Sequence, residues 1–191
     1  HLGVRRQRQM CIRDSVAEGF SAVKFDPAGQ YTVYDGRMPD LEAIAQSVAF
    51  CREIRAAVGD RADMLFGTHG QFTAAGALRL ARQLEPFDPL WFEEPCPPDM
   101  PEEMAKVAAG TSIPVATGER LCSKFEFARV LDLGAAAILQ PDLGRAGGIL
   151  EGKKIAAMAE TRYVQVAPHL YCGPVAAAAV SYTHLTLPTN A

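Results

Sequence analysis

The chain has 191 residues, 49% hydrophobic and 21% charged, with a formal net charge of −3. That length suits one domain or part of one. The mild acidity argues against nucleic acid and anionic membrane as partners, and no apolar run is long enough to span a bilayer.

The first segment in chain order is Arg5-Arg6-Gln7-Arg8-Gln9-Met10-Cys11-Ile12-Arg13-Asp14. It can be back-translated as CGT CGG CAG CGT CAG ATG TGT ATA AGA GAC. The reverse complement of that DNA encodes Val-Ser-Tyr-Thr-His-Leu-Thr-Leu-Pro-Thr, the residues at Val180 to Thr189. Two ends of a natural protein have no reason to be complementary strands of one DNA, whereas an adapter ligated to both ends of a fragment does. Residues 1–15 and 180–191 are therefore expected to be adapter-derived, leaving 16–179 as the native part. On this reading the basic run Arg5 to Arg13 is no nucleic-acid patch, His184 is no ligand and Cys11 no redox residue. The first fourteen residues carry four Arg and one Asp, so the native part has a net charge of −6. Its cysteines, Cys51, Cys96, Cys122 and Cys172, lack close ligand spacing, which argues against a zinc site. They suit reduced thiols in a cytoplasmic protein.

The native part alternates β-rich runs with helical periodicity. Ala22–Phe25 is the first expected strand. Tyr31 to Arg37 follows as a polar-aromatic insert, either a substrate-binding loop or a plain surface loop. Leu41–Val58 has apolar residues at helical spacing (Leu41, Ile44, Ala45, Val48, Ala49, Ile54). Met64–Phe66 is the second strand, then a helix over Thr73–Leu84 with Thr73 as N-cap. Leu90–Glu93, a helix over Pro101–Ala109, Pro114–Ala116, and a helix over Lys124–Leu133 with Ser123 as N-cap come next. Ala137–Leu139, a helix over Gly147–Thr161 and Val164–Ala167 complete the series. Gly59 and Gly134 follow helix ends, where a left-handed residue is common.

Strands alternating with helices at this spacing predict βαβ units and a parallel sheet. A doubly wound sheet would show a Gly-rich phosphate loop after an early strand. Gly144-Arg145-Ala146-Gly147-Gly148 follows the fifth strand and lacks the G-x-G-x-x-G spacing. A (β/α) barrel instead places polar chemistry at the C-terminal end of each strand. Here those ends carry Lys24 and Asp26, His69, Glu93, Glu119, Asp142 and His169 in turn. The expected fold is α/β, a partial (β/α) TIM-like barrel.

This set suits proton abstraction next to a carboxylate. A divalent cation on a substrate carboxylate stabilises the enediolate that forms. Mg²⁺ takes hard oxygen ligands, and Glu93 and Glu119 fit that role. His169 fits a general base near neutral pH. Asp142, on the preceding strand, can orient it, and His69 across the mouth can protonate a departing hydroxyl. An opposed base and acid imply elimination of water.

The ordered runs Trp91-Phe-Glu-Glu-Pro95, Ala116-Thr-Gly-Glu-Arg120, Leu139-Gln-Pro-Asp-Leu143, Ala146-Gly-Gly148 and Ala167-Pro-His-Leu170 resemble the mandelate racemase branch of the enolase superfamily. Gly19-Phe-Ser-Ala-Val-Lys24 and His69-Gly70 agree with this. Within that branch the similarity is strongest to the acid-sugar dehydratases of galactonate type. The resemblance implies Glu93 and Glu119 as Mg²⁺ ligands, Asp142 and His169 as catalytic dyad, His69 as second acid/base, and a small sugar acid as substrate. It also implies a homo-oligomeric parent whose capping domain and first and last barrel strands are absent here, so that this chain covers about strands 2 to 7 of a (β/α)₇β barrel. Made as written, such a piece is expected to aggregate or be poorly ordered, and to be inactive.

One departure stands out. The family places an Asp metal ligand two residues before the second histidine, and this sequence has Gly67 there. Asp26, on the neighbouring strand, is a candidate replacement; a water in the gap or a weak metal site are the alternatives. Lys24 faces either the substrate carboxylate or a ligand carboxylate, and Arg120 either substrate or a neighbouring acid. A racemase or epimerase, and a non-catalytic barrel that has lost its metal, are the rival functions.

Overall fold

The computed structural model describes residues 12–28, 35–171 and 173–186. Strands β1 (Ala22–Phe25), β2 (Asp63–Gly67), β3 (Trp91–Glu93), β4 (Val115–Thr117), β5 (Ile138–Leu139) and β6 (Gln165–Val166) occupy the six expected positions. Between them lie helices α1 (Leu41–Val58), α2 (Ala74–Leu84), α3 (Pro101–Gly110), α4 (Lys124–Asp132), α5 (Leu143–Ala146) and α6 (Ile149–Glu160). Helix α7 (Pro174–Thr186) ends the described chain. The short α5 and the long α7 are additions to the expected elements. In α7, a Pro at the first position and the Ala176–Ala179 run favour the helix that follows. Residues 12–17 are also helical. Most of the Tyr31–Arg37 insert lies outside the described residues, as do Cys11 and Cys172.

The chain forms two compact units, one built on residues up to Pro97 with Gly110–Ile113, the other on Pro98–Ala109 with the rest. In the first unit β1, β2 and β3 pair in parallel, with Lys24 opposite Leu65, Phe25 opposite Phe66, and Gly67 opposite Glu93. The two-residue period of a strand sorts these side chains onto two faces. Phe25, Phe66 and Phe92 share one face. Phe25 meets Phe66 edge-on at 5.5 Å and Phe50 of α1 at 5.3 Å, and Phe66 meets Phe92 at 6.4 Å. Lys24, Gly67 and Glu93 share the other face.

Helix α1 is rotated relative to its apolar spacing. Its buried stripe is Ile44, Ser47, Phe50, Cys51, Ile54 and Val58, while Leu41 is 74% exposed. Ser47 joins the core because its hydroxyl donates to the Ala43 carbonyl at 3.0 Å, which removes the cost of burying it. Arg55 closes the helix end with hydrogen bonds to the carbonyls of Gly59, Ala62 and Phe87. The two predicted N-caps part ways. Thr73 accepts from Gly76 N at 3.1 Å as expected. Ser123 sits in the cap position but makes no cap bond. At the same helix end the Glu126 carboxylate accepts from Cys122 N at 2.7 Å, where its charge suits the helix N-terminus.

In the second unit β4, β5 and β6 pair in parallel, with Ala116 opposite Ile138 and Ile138 opposite Gln165. Phe127, Val130, Leu131, Leu139, Ile155 and Ala159 are buried. Full burial of a side chain such as Phe127 stabilises by about 1.5–3 kcal/mol. Lys124 of α4 and Glu151 of α6 pair at 2.8 Å. Gly134 takes φ +61° just beyond α4, as anticipated for a helix end. Cys51 and Cys96 are buried and Cys122 is exposed. Among the described residues no helix is long and apolar enough to cross a membrane.

Candidate active site

In the first unit the sheet face opposite the phenylalanines carries a charge pair. Lys24 Nζ lies 2.7 Å from both Oε1 and Oε2 of Glu93. Glu93 is 0% exposed, whereas the Lys24 side chain is 44% exposed. Trp91 Nε1 also donates to Glu93 Oε2, at 3.3 Å. The segment after β2 is tied to the segment after β3: Thr68 Oγ1 donates to the Glu93 carbonyl, Gly70 N to the Glu94 carbonyl, and Phe72 N to the Pro95 carbonyl. These bonds fix the backbone on either side of His69, whose side chain is half-buried.

Asp26 is fixed by its own loop. Its Oδ1 accepts from Ala28 N at 2.7 Å, an Asx turn. Its Oδ2 accepts from Gln71 Nε2 at 2.8 Å, and Gln71 Oε1 accepts from His69 N at 2.5 Å. The buried Gln71 thus joins Asp26 to the His69 backbone. Sequence reasoning missed this residue. Its only signal is a polar residue two positions beyond a strand-end histidine, a pattern shared with ordinary loops.

In the second unit Glu119 follows β4 through Gly118, which has φ +138°. A Cβ at Gly118 would lie 2.8 Å from a Phe127 ring carbon and 2.9 Å from Gln140 N, so only glycine lets the strand end turn here. Asp142 has two roles. Its Oδ1 accepts from Arg145 N at 3.2 Å and so caps α5, while its Oδ2 lies 2.8 Å from His169 Nδ1. The His169 backbone N–H donates to the Pro141 carbonyl. His169 Nε2 is 3.4 Å from Glu119 Oε2, so the imidazole is bracketed by two carboxylates. Asp142 and Glu119 are buried, and His169 is half-buried with Tyr171 stacked beside it at 6.3 Å. Arg120 follows Glu119 and is half-buried.

The structure therefore joins Lys24 with Glu93, Asp26 with the His69 backbone, and Glu119 with His169 and Asp142. Among the described residues no group of three or more His, Cys, Asp or Glu side chains is placed to hold a metal ion. Mg²⁺ commonly uses only one or two carboxylates, with water and substrate completing its shell. Glu93 in the first unit and Glu119 in the second each present a buried carboxylate, the hard oxygen chemistry such an ion takes, and Glu93 already attracts a cationic group.

Parallel strands alternating with helices, with ionisable residues at successive strand ends, define the class: α/β, a partial (β/α) barrel. Residues 8–190 match the enolase C-terminal domain-like family, and the chain belongs to it. It is 45% identical over 163 residues to a D-galactonate dehydratase of Ralstonia nicotianae (strain ATCC BAA-1114 / GMI1000), covering 85% of this chain and 42% of that protein. A D-galactonate dehydratase of Xanthomonas axonopodis pv. citri (strain 306) is 44% identical over 168 residues, covering 88% and 43%. Among solved structures, a mandelate racemase/muconate lactonizing enzyme-like protein from Roseovarius sp. TM1035 shares 59% identity with a TM-score of 0.93, covering 98% of this chain and 47% of that one. A mandelate racemase/muconate lactonizing enzyme from Sulfitobacter sp shares 60% identity with a TM-score of 0.93, covering 97% and 47%. The chain spans less than half the length of each of these relatives. The family match runs past residues 16 and 179 at both ends and so does not separate the flanking segments.

Proposed function

We propose that the full-length protein carrying this chain is a hydro-lyase that dehydrates a galactonate-type sugar acid to a 2-keto-3-deoxy acid. The observation that carries this reading is the His169–Asp142 pair at 2.8 Å, with Asp142 itself anchored as the cap of α5. An acceptor on Nδ1 keeps the proton of neutral imidazole there, so Nε2, which faces Glu119 Oε2 at 3.4 Å, is the nitrogen that acts as base. His169 takes the proton α to the substrate carboxylate. His69 gives a proton to the departing hydroxyl, which leaves as water. The enol that results tautomerises to the keto acid. Similarity to dehydratases, at about 45% identity, supports this outcome over racemisation.

Glu93 and Glu119 would hold a Mg²⁺ ion, with Asp26 as a further oxygen donor. Asp26 Oδ1 accepts from Ala28 N and Oδ2 from Gln71 Nε2, which orients its carboxylate at the end of β1. A divalent cation bound there would neutralise the charge that develops on the substrate carboxylate as the proton leaves. Lys24 and Arg120 would bind the substrate. The test is a screen of the full-length protein with Mg²⁺ against a panel of sugar acids, detecting 2-keto acid. Product that disappears in His169→Ala supports the reading. No product from any acid, with no effect of Mg²⁺ on melting, sinks it and favours a barrel without catalytic metal, the second reading that Gly67 keeps open.

A further inference from the structure

The neighbours of Gly67 explain more than the loss of a ligand. Lys24, Gly67 and Glu93 lie on one face of three successive strands, with Gly67 directly opposite Glu93 in the β2–β3 ladder. A Cβ built on Gly67 would lie 2.5 Å from Lys24 Cε and 3.2 Å from its Cγ. The lysine stem thus lies across the space that a side chain at 67 would fill, and its ammonium ends 2.7 Å from both Glu93 oxygens. Any side chain at 67 and this path for Lys24 exclude each other.

We propose that Lys24 is the resident counter-ion of Glu93, admitted by Gly67, and that a divalent cation binds Glu93 by displacing it. The proposal rests on the reading of Glu93 as a metal ligand. A fully buried carboxylate needs a positive partner or several hydrogen bonds, and Lys24 supplies the charge while no metal is bound. The exchange is feasible because the two partners differ in exposure. Glu93 is 0% exposed and cannot hydrate, while the Lys24 side chain is 44% exposed and can swing its ammonium into water. Once released, Lys24 is free to pair with an anionic substrate. Lys24 and the metal therefore compete for one carboxylate.

The experiment titrates Mg²⁺ alone into the full-length protein by calorimetry and follows melting with and without Mg²⁺. Wild type is compared with Lys24→Met and Gly67→Ala. Lys24→Met should melt lower without Mg²⁺, gain more from Mg²⁺ than wild type, and bind it about tenfold more tightly, equivalent to about 1.4 kcal/mol. Gly67→Ala keeps the lysine charge and only blocks its path. The methyl meets the far end of a flexible side chain, and alanine is tolerated in a strand. Tighter Mg²⁺ binding in this variant reports displacement rather than lost charge, and it decides the matter if Lys24→Met does not fold. Equal Mg²⁺ affinity in all three proteins overturns the proposal while leaving Glu93 as a ligand. No Mg²⁺ binding to any of them overturns the metal reading and the proposal with it.

Discussion

Replacing Asp142 by Asn separates its two roles. In the folded protein Oδ1 accepts from Arg145 N at 3.2 Å and Oδ2 meets His169 Nδ1 at 2.8 Å. An Asn turned to keep its carbonyl on Arg145 N preserves the cap, so it should cost less than the ~1 kcal/mol typical of replacing a cap by Ala. Its amide nitrogen then faces Nδ1. A donor in that place demands an acceptor, so the imidazole proton moves to Nε2, the atom that has to act as base. Dehydration should fall by about 10²–10⁴-fold, the span of a general-base contribution. Asp142→Ala loses the cap and also the bond to His169, worth about 1.5–3 kcal/mol when charged, so it should cost about 3 kcal/mol in all. Urea unfolding and keto acid release, both on the full-length protein, measure the two effects. An Asn variant within about twofold of wild-type rate would refute the tautomer argument. Equal destabilisation by Asn and Ala would refute the role as cap.

Three further outcomes are expected. Gly118→Ala combines a φ of +138° with a Cβ 2.8 Å from the Phe127 ring and 2.9 Å from Gln140 N. It should destabilise by about 3 kcal/mol in urea unfolding, and a loss under ~1 kcal/mol would show that the strand end relaxes easily. The Glu85 carboxyl is held below its ordinary value of 4.5 by the Ser112 backbone N–H at 3.0 Å and the Thr111 hydroxyl at 2.7 Å. Because the folded value is the lower one, its stabilising effect is present above the ordinary value and lost as pH falls through the depressed one. The stability difference between wild type and Glu85→Gln should therefore be full at pH 7 and vanish in acid; a difference independent of pH would contradict this. Burial pushes the Cys51 thiol up to about 12, whereas Cys122 is exposed. Alkylation at pH 8 mapped by peptide mass spectrometry should label Cys122 and spare Cys51 until the protein is unfolded, and equal labelling would contradict that burial.

The strands and major helices were legible because each rests on a local period. The strand-end positions of Glu93, Glu119, Asp142 and His169 were legible because these residues differ in kind from the apolar strands that present them. What stayed hidden depends on particular side-chain hydrogen bonds, near and far in sequence, that follow no period. The burial of Ser47 follows from a hydroxyl bonded to a carbonyl one turn back, and it rotates α1 away from its apolar spacing. Glu126 reaches back from the first turn of α4 to the Cys122 N–H, a bond that the Ser123 hydroxyl in the cap position does not signal. The link from Asp26 through Gln71 to the His69 backbone spans 45 residues and has no local period at all.

Gly67 shows why such links matter for function. Taken residue by residue, it reads as a missing ligand and a weakened metal site. The sheet register adds two facts that reverse the sign of that reading. Gly67 lies opposite Glu93, and the stem of Lys24 lies where a side chain at 67 would begin. A carboxylate at 67 would have put a second acid beside Glu93 and left both dependent on an external cation. With glycine there, a single lysine from the neighbouring strand balances Glu93 from within the chain. The substitution then does more than remove an oxygen. On the proposed exchange it would move the charge balance of this face from a bound ion towards the protein itself, so that metal affinity and folding stability would be coupled through one side chain, Lys24.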